Sequence, residues 1–136
     1  MTTLARLLAF VQKTLEANSL CKNVMILEAV EFAPEQFRLK VRSDLGSGIK
    51  FQAYIYANRG YIDYGYQVFG GITLLRWDNK EEFFSIATFP HHHHNLDAEV
   101  VASSLSGQPE NDLPQVLDWI AQHFDQIREA NKREKR

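Results

Sequence analysis

Cysteine is nearly absent from this chain of 136 residues: Cys21 stands alone, so no internal disulfide can hold the fold. No apolar run approaches the roughly 20 residues that a membrane-spanning helix needs, and nothing at the N-terminus reads as a signal peptide. Neither sign of charge prevails, because 15 Lys and Arg face 17 Asp and Glu for a formal −2. That balance excludes a protein that coats nucleic acid by bulk charge, yet it leaves room for a site made of a few placed cations. Proline and glycine are sparse, and no repeat or low-complexity stretch marks a linker. A hydrophobic content of 45% at this length is enough to close one core without metal or disulfide. One domain over residues 1–136, in the cytoplasm, is the expectation.

The charge is uneven along the chain. From Arg128 onward five basic residues face two acidic ones, so the last nine residues carry +3 and the remainder −5. Lys and Arg suit a helix C-terminus, and a solvated helix end explains this tail better than a nucleic-acid arm.

Leu4, Leu7, Leu8, Val11 and Leu15 recur at helical spacing and predict a first helix over residues 3–17. The period then changes to two. Val24, Ile26, Val30 and Phe32 read as a strand with one buried face, and Pro34-Glu35-Gln36 as the turn after it. Phe37, Leu39 and Val41 alternate with Arg38, Lys40 and Arg42, which gives three cations one outward face. Ile49, Phe51, Ala53 and Ile55 alternate with Lys50, Gln52, Tyr54 and Tyr56, and Asn58-Arg59-Gly60 turns the chain again. Strands over 61–68 and 72–79 follow, joined through Gly70-Gly71. Residues 98–105 fit a short helix or a strand equally well. A last helix is expected from near Asp112, with Pro114 in its first turn and Leu113, Leu117, Ile120, Phe124 and Ile127 in the core. The whole reads as α+β: an antiparallel sheet of about five strands flanked by N- and C-terminal helices on one face.

Four consecutive histidines, His91-His92-His93-His94, are the outstanding chemical feature. In extended backbone His91 and His93 face one way and His92 and His94 the other, so one site receives two of them at most. Two histidines at that spacing can ligate metal, but zinc wants further ligands, and Cys21 and His123 are distant in sequence. Asp78 and Asp97 are the carboxylates such a site would draw on. A polar loop that merely happens to be histidine-rich is the bland alternative. No cofactor is expected.

Imidazole suits acid–base work near neutrality. Cleavage of RNA through its 2′-hydroxyl needs a base, an acid and a cation for the phosphoryl charge, and no metal. Arg76 is the natural cation, since it shares a strand face with Asp78 and with apolar Ile72 and Leu74. An Arg76–Asp78 pair that only closes the sheet accounts for the same residues. Trp77 reads as core. Tyr54, Tyr56, Tyr61, Tyr64 and Tyr66 line two neighbouring strands, where aromatics mostly pack. Beside Arg38, Lys40 and Arg42, Tyr64 and Tyr66 would also form a surface for holding a single strand.

The Arg76-Trp77-Asp78-Asn79 motif, followed by Thr88-Phe89-Pro90 and the four histidines, resembles the signature of the TumE family of toxins. Tyr61-Ile62-Asp63-Tyr64-Gly65-Tyr66 before it also fits that layout, so the likeness covers roughly residues 31–101. Where the family often carries a histidine after the tyrosines, this chain has Gln67 or Val68. The resemblance implies a growth-inhibiting toxin neutralised by a cognate antitoxin, a helix-turn-helix DNA-binding protein encoded beside it. It also implies a site on Arg76, Asp78, Asn79, His91, His92 and His94. The residue chemistry points to a metal-independent endoribonuclease, with Arg38, Lys40, Arg42, Tyr64, Tyr66 and Asn79 binding RNA. A binding module without turnover and a metal-dependent nuclease or hydrolase are the rivals, and an open sheet edge would allow homodimers.

Overall fold

The computed structural model describes residues 2–134. Helix α1 (Leu4–Ala17) is capped by Thr3, whose hydroxyl accepts the Arg6 N–H, and its stripe buries Leu7, Val11 and Leu15. Seven strands follow: β1 (Lys22–Ala33), β2 (Gln36–Gly46), β3 (Ile49–Asn58), β4 (Tyr61–Phe69), β5 (Thr73–Asp78), β6 (His92–His94) and β7 (Val100–Ala102). They form one antiparallel meander in chain order. Helices α2 (Pro109–Gln122) and α3 (Phe124–Glu134) close the chain. No helix among the described residues is long and apolar enough to cross a membrane.

The α+β architecture is as expected, with two more strands than the sequence suggested. Both additions are three residues long, and β6 is the histidine run itself. Residues 98–105, ambiguous in the sequence, supply β7. Such short strands lie below the length at which a two-residue period shows.

In β2 and β3 the alternation holds without a break, so Phe37, Leu39, Val41, Ile49, Phe51, Ala53 and Ile55 all enter the core. Tight turns keep this register. Ser47 and Gly48 join β2 to β3, and Arg59 and Gly60 join β3 to β4, each pair at positive φ as a two-residue hairpin demands.

Strand β1 departs from its expected buried face. Ile26 pairs with Val41 on the core side, but Leu27 is an extra residue, and beyond it Val30 pairs with Arg38 on the opposite side. The bulge switches the parity of the strand. As the outermost strand β1 also lacks one neighbour, and Met25, Ile26, Leu27, Val30 and Phe32 are exposed.

The C-terminal helix also divides differently. It begins at Pro109, which occupies the first helical turn with its missing N–H, while Asp112 lies inside the helix and reaches back to Ser106 and Gly107. His123, at φ −115 and ψ 17, ends α2, and α3 restarts at Phe124. The Arg128–Asp125 and Lys132–Glu129 pairs place the basic tail on a solvated helix; Lys135 and Arg136 lie outside the described residues.

All three helices cover one face of the sheet. α1 lies on β1 and β2, α2 touches α1, and α3 reaches β5. Asn131 anchors α3: its side chain donates to the Ser47 carbonyl and lies so close to Gly70 that a Cβ there would meet Oδ1 at 2.1 Å. Gly70→Ala is therefore expected to destabilise the protein by about 1–3 kcal/mol. Urea unfolding checks this, and Asn131→Ala in the same chain should return part of the loss.

Candidate active site

The face without helices carries the polar cluster of Arg76, Asp78, His92 and His94. Strand pairing sets Asp78 opposite His92, Trp77 opposite His93 and Arg76 opposite His94. Alternation then sends Arg76, Asp78, His92 and His94 to the open face, and Trp77 and His93 to the helix side.

Asp78 is the hub, and it is only 5% exposed. Its Oδ2 accepts from Arg76 Nε at 2.7 Å and lies 3.7 Å from His94 Nε2. Oδ1 faces His92 Nε2 at 2.9 Å and accepts the Lys80 backbone N–H at 3.0 Å. A carboxylate so far from water persists only because both oxygens are engaged.

Arg76 and His94 are the members of the cluster open to solvent, with side chains 39% and 34% exposed. The guanidinium lies across β4 above Gly65, where a Cβ would come within 2.7 Å of Nη2, and Nη1 donates to Gln67 Oε1 at 3.3 Å. His92 is 2% exposed, with Nδ1 against the Pro90 carbonyl at 3.1 Å and Nε2 against Asp78. Both of its nitrogens are engaged within the protein. Phe83 packs edge-on against His92 and His94 and closes the cluster from the side.

The remaining expected site residues lie elsewhere. His91 faces the helix side, where its Nδ1 meets the Tyr64 hydroxyl at 2.8 Å. Tyr64 and Tyr66 are buried on that same side and do not stand beside Arg38, Lys40 and Arg42; burial raises both phenols above their ordinary range. On the open face stand Tyr54 and Tyr56, opposite Lys40 and Arg38, and exposed Tyr61 near the start of β4. Asn79 is buried, accepting the Tyr64 N–H and donating to the Ile62 carbonyl, a structural tie between β4 and the end of β5. Asp97 sits in the β6–β7 turn, its N–H donated to Asn95 Oδ1. The donor atoms of Asp78, His92 and His94 lie within 4.8 Å of one another, and among the described residues these three could hold a divalent ion.

Gly65, Gln67 and Phe83 belong to the centre and were not singled out from the sequence. A lone glycine inside a strand is a recognised sign of close approach and would have pointed to the Arg76 seat. Phe83 had no such sign, because it lies in irregular chain between β5 and β6.

Burial holds His94 below its ordinary pKa of 6.5, partly opposed by the charge of Asp78. His93, stacked on Trp77 at 4.4 Å, is lowered for the same chief reason, against a hydrogen bond to the Arg76 carbonyl.

An antiparallel sheet with helices on one face, and on the other a buried carboxylate clasped by an arginine and two histidines, defines a small α+β protein with a polar cluster on its open face. The profile of the family described as Toxin TumE matches residues 11–124, most of the chain, and the protein belongs to that family. It is accordingly a toxin of a toxin–antitoxin system, and an antitoxin is its partner. No curated protein and no solved structure gives a significant match.

Two outcomes follow from the burial of this cluster. Asp78→Ala leaves Arg76 and His92 without their acceptor and should cost about 3–5 kcal/mol in urea unfolding, with Asp78→Asn costing less. Folding favours the neutral rings of His93 and His94, so their contribution to stability is whole above pH 6.5 and is lost as pH falls through their lowered values. The urea midpoint should decline over that window, and more gently in His93→Gln.

Proposed function

We propose that this toxin is a metal-independent endoribonuclease acting in the cytoplasm, with His94 as the base and Arg76 as the phosphate cation. The observation that carries this is the pairing of Arg76 with His94 on adjacent strands of the open face, both oriented by the buried Asp78. His94, held below 6.5 by burial, is neutral at pH 7 and free to take the proton of a 2′-hydroxyl. The 2′-oxygen then attacks phosphorus, the bond to the 5′-oxygen breaks, and that oxygen takes a proton from water. The products are a 2′,3′-cyclic phosphate and a 5′-hydroxyl. Arg76 neutralises the non-bridging oxygens as charge builds on them. His92 and Asp78 are positioning residues, and Arg38, Lys40 and Arg42 offer further phosphate contacts on the same face.

A second reading has support in the convergence of Asp78, His92 and His94: the same three residues would hold a divalent ion in a metal-dependent nuclease. As partner we propose a helix-turn-helix DNA-binding antitoxin. The exposed outer edge of β1 offers a place for homodimer formation.

Purified protein should cleave RNA in EDTA and leave cyclic phosphate ends. His94→Gln and Arg76→Ala should each lower kcat/KM by about 10²-fold or more; the thermal midpoint of His94→Gln stays close to wild type, whereas Arg76→Ala, which strips the cation from the buried Asp78, lowers it as well. Gly65→Ala, which pushes the guanidinium off its seat, should slow cleavage with little loss of stability. Absence of cleavage in EDTA with recovery on adding a divalent ion would favour the second reading. Association with RNA without turnover under either condition would leave a binding module.

A further inference from the structure

The open face is ordered in rows that the strand register makes continuous. Arg42 pairs with Gln52, Gln52 with Gln67, Gln67 with Arg76, and Arg76 with His94. One polar side chain from each of five adjacent strands thus stands in line, about 19 Å from end to end at the usual strand spacing. Side-chain bonds stiffen the line. Arg42 donates through Nε and Nη2 to Gln52 Oε1, and Arg76 through Nη1 to Gln67 Oε1. Among the described residues Arg42 keeps Nη1, and Arg76 keeps Nη2, without a protein acceptor.

A second row runs beside it through Lys40, Tyr54, Gly65, Asp78 and His92, and a third through Arg38, Tyr56 and Asp63. Tyr54 and Tyr56 are partly exposed, and exposed Phe32 extends the aromatic ground next to Tyr56, with ring centroids 6.4 Å apart. Arg42 and Arg76 therefore stand along one line, and the aromatic rings, with Lys40 and Arg38 beside them, on the flank of it. Beyond Tyr56 the third row turns acidic at Asp63, which would repel a phosphate chain from that end of the row and favour the first row.

We propose that the substrate is unpaired RNA, laid across the strands with its phosphates on the Arg42–Gln52–Gln67–Arg76–His94 row and its bases on Tyr54, Tyr56 and Phe32. This rests on the phosphodiester chemistry above and names its substrate class. Two physical reasons select an unpaired strand. Attack by a 2′-oxygen requires it to stand in line with the departing 5′-oxygen, which the A-form helix forbids and a flexible strand permits. Bases stacked in a duplex also cannot lie on protein rings, whereas each exposed base can.

Glu28 acts as a brake on this surface. Its carboxylate holds Arg38 at 2.6 Å and Lys40 at 3.6 Å, so it neutralises both cations beside the aromatic rings and its charge opposes the approach of a phosphate chain.

The test is fluorescence anisotropy with an unstructured oligonucleotide carrying 2′-O-methyl groups throughout, so that it cannot be cleaved, alone and annealed to its complement. The wild type should bind the free oligonucleotide at least about 10-fold more tightly than the duplex. Tyr54→Ala should weaken that binding by roughly 10-fold. Arg42→Ala should lower the salt slope by about one. Glu28→Gln should tighten binding several-fold, an effect that damage to the fold would not mimic. Equal or tighter binding of the duplex, or unchanged affinity in both Tyr54→Ala and Glu28→Gln, overturns the proposal. Binding as described, with no cleavage of the unmodified RNA, removes the reaction and keeps the surface. Wild-type cleavage rates in both Arg42→Ala and Tyr54→Ala remove the surface and keep the reaction.

Discussion

The carboxylate of Asp78 is the contact on which the centre depends. Taking a carboxylate out of water costs several kcal/mol unless cations and hydrogen bonds meet both oxygens. Here they come from three parts of the chain: Arg76 two residues earlier, the Lys80 amide in the turn beyond, and His92 from the neighbouring strand. Arg76, bonded along its Nε edge, is thereby laid over Gly65. With His92 on the other oxygen, β6 has a defined register against β5, and that register sets His94 opposite Arg76. A slip of one residue would turn His91 and His93 toward the carboxylate instead.

The histidine run serves both faces of the sheet for the same reason. His93 stacks on Trp77, which meets Trp119 of α2 edge-on, so it ties the short β6 to the helix layer. His92 and His94 look the other way, to the carboxylate and to solvent. Because all helices lie on one side, the other side remains wet and tolerates the row of arginines, glutamines and tyrosines that a two-sided core would have rejected. Its polar rows and its carboxylate–imidazole cluster are consequences of one arrangement: three helices loaded on a single face.

Legibility in the sequence followed the length and regularity of each element. The strands from Phe37 to Ile55 were plain, because each position alternates between core and surface and the turns carry residues suited to positive φ. Strand β1 misled, since one inserted residue at Leu27 reverses the parity that the pattern Val24, Ile26, Val30, Phe32 implied. The break between α2 and α3 was hidden too. Leu113, Leu117, Ile120, Phe124 and Ile127 keep helical spacing straight through His123, and the interruption there leaves no mark on periodicity. In the candidate site, Arg76 and Asp78 were legible as a charged pair among apolar neighbours. Tyr64 and Tyr66 were assigned to the wrong face, because nothing within β4 says which of its two sides the helices will cover.

The sequence by itself determined the elements and the chemical inventory: a helix, an alternating sheet, a terminal helical segment, and a carboxylate, a guanidinium and four imidazoles within nineteen positions. Local periodicity and side-chain chemistry are properties of neighbouring residues and need no fold to be read. Only the tertiary structure decided which imidazole reaches solvent and which is locked away, that Gly65 seats the guanidinium, and that residues from five strands fall into one row. Those relations come from register between strands distant in the chain, and register is set by cross-strand pairing and burial, which no single segment contains.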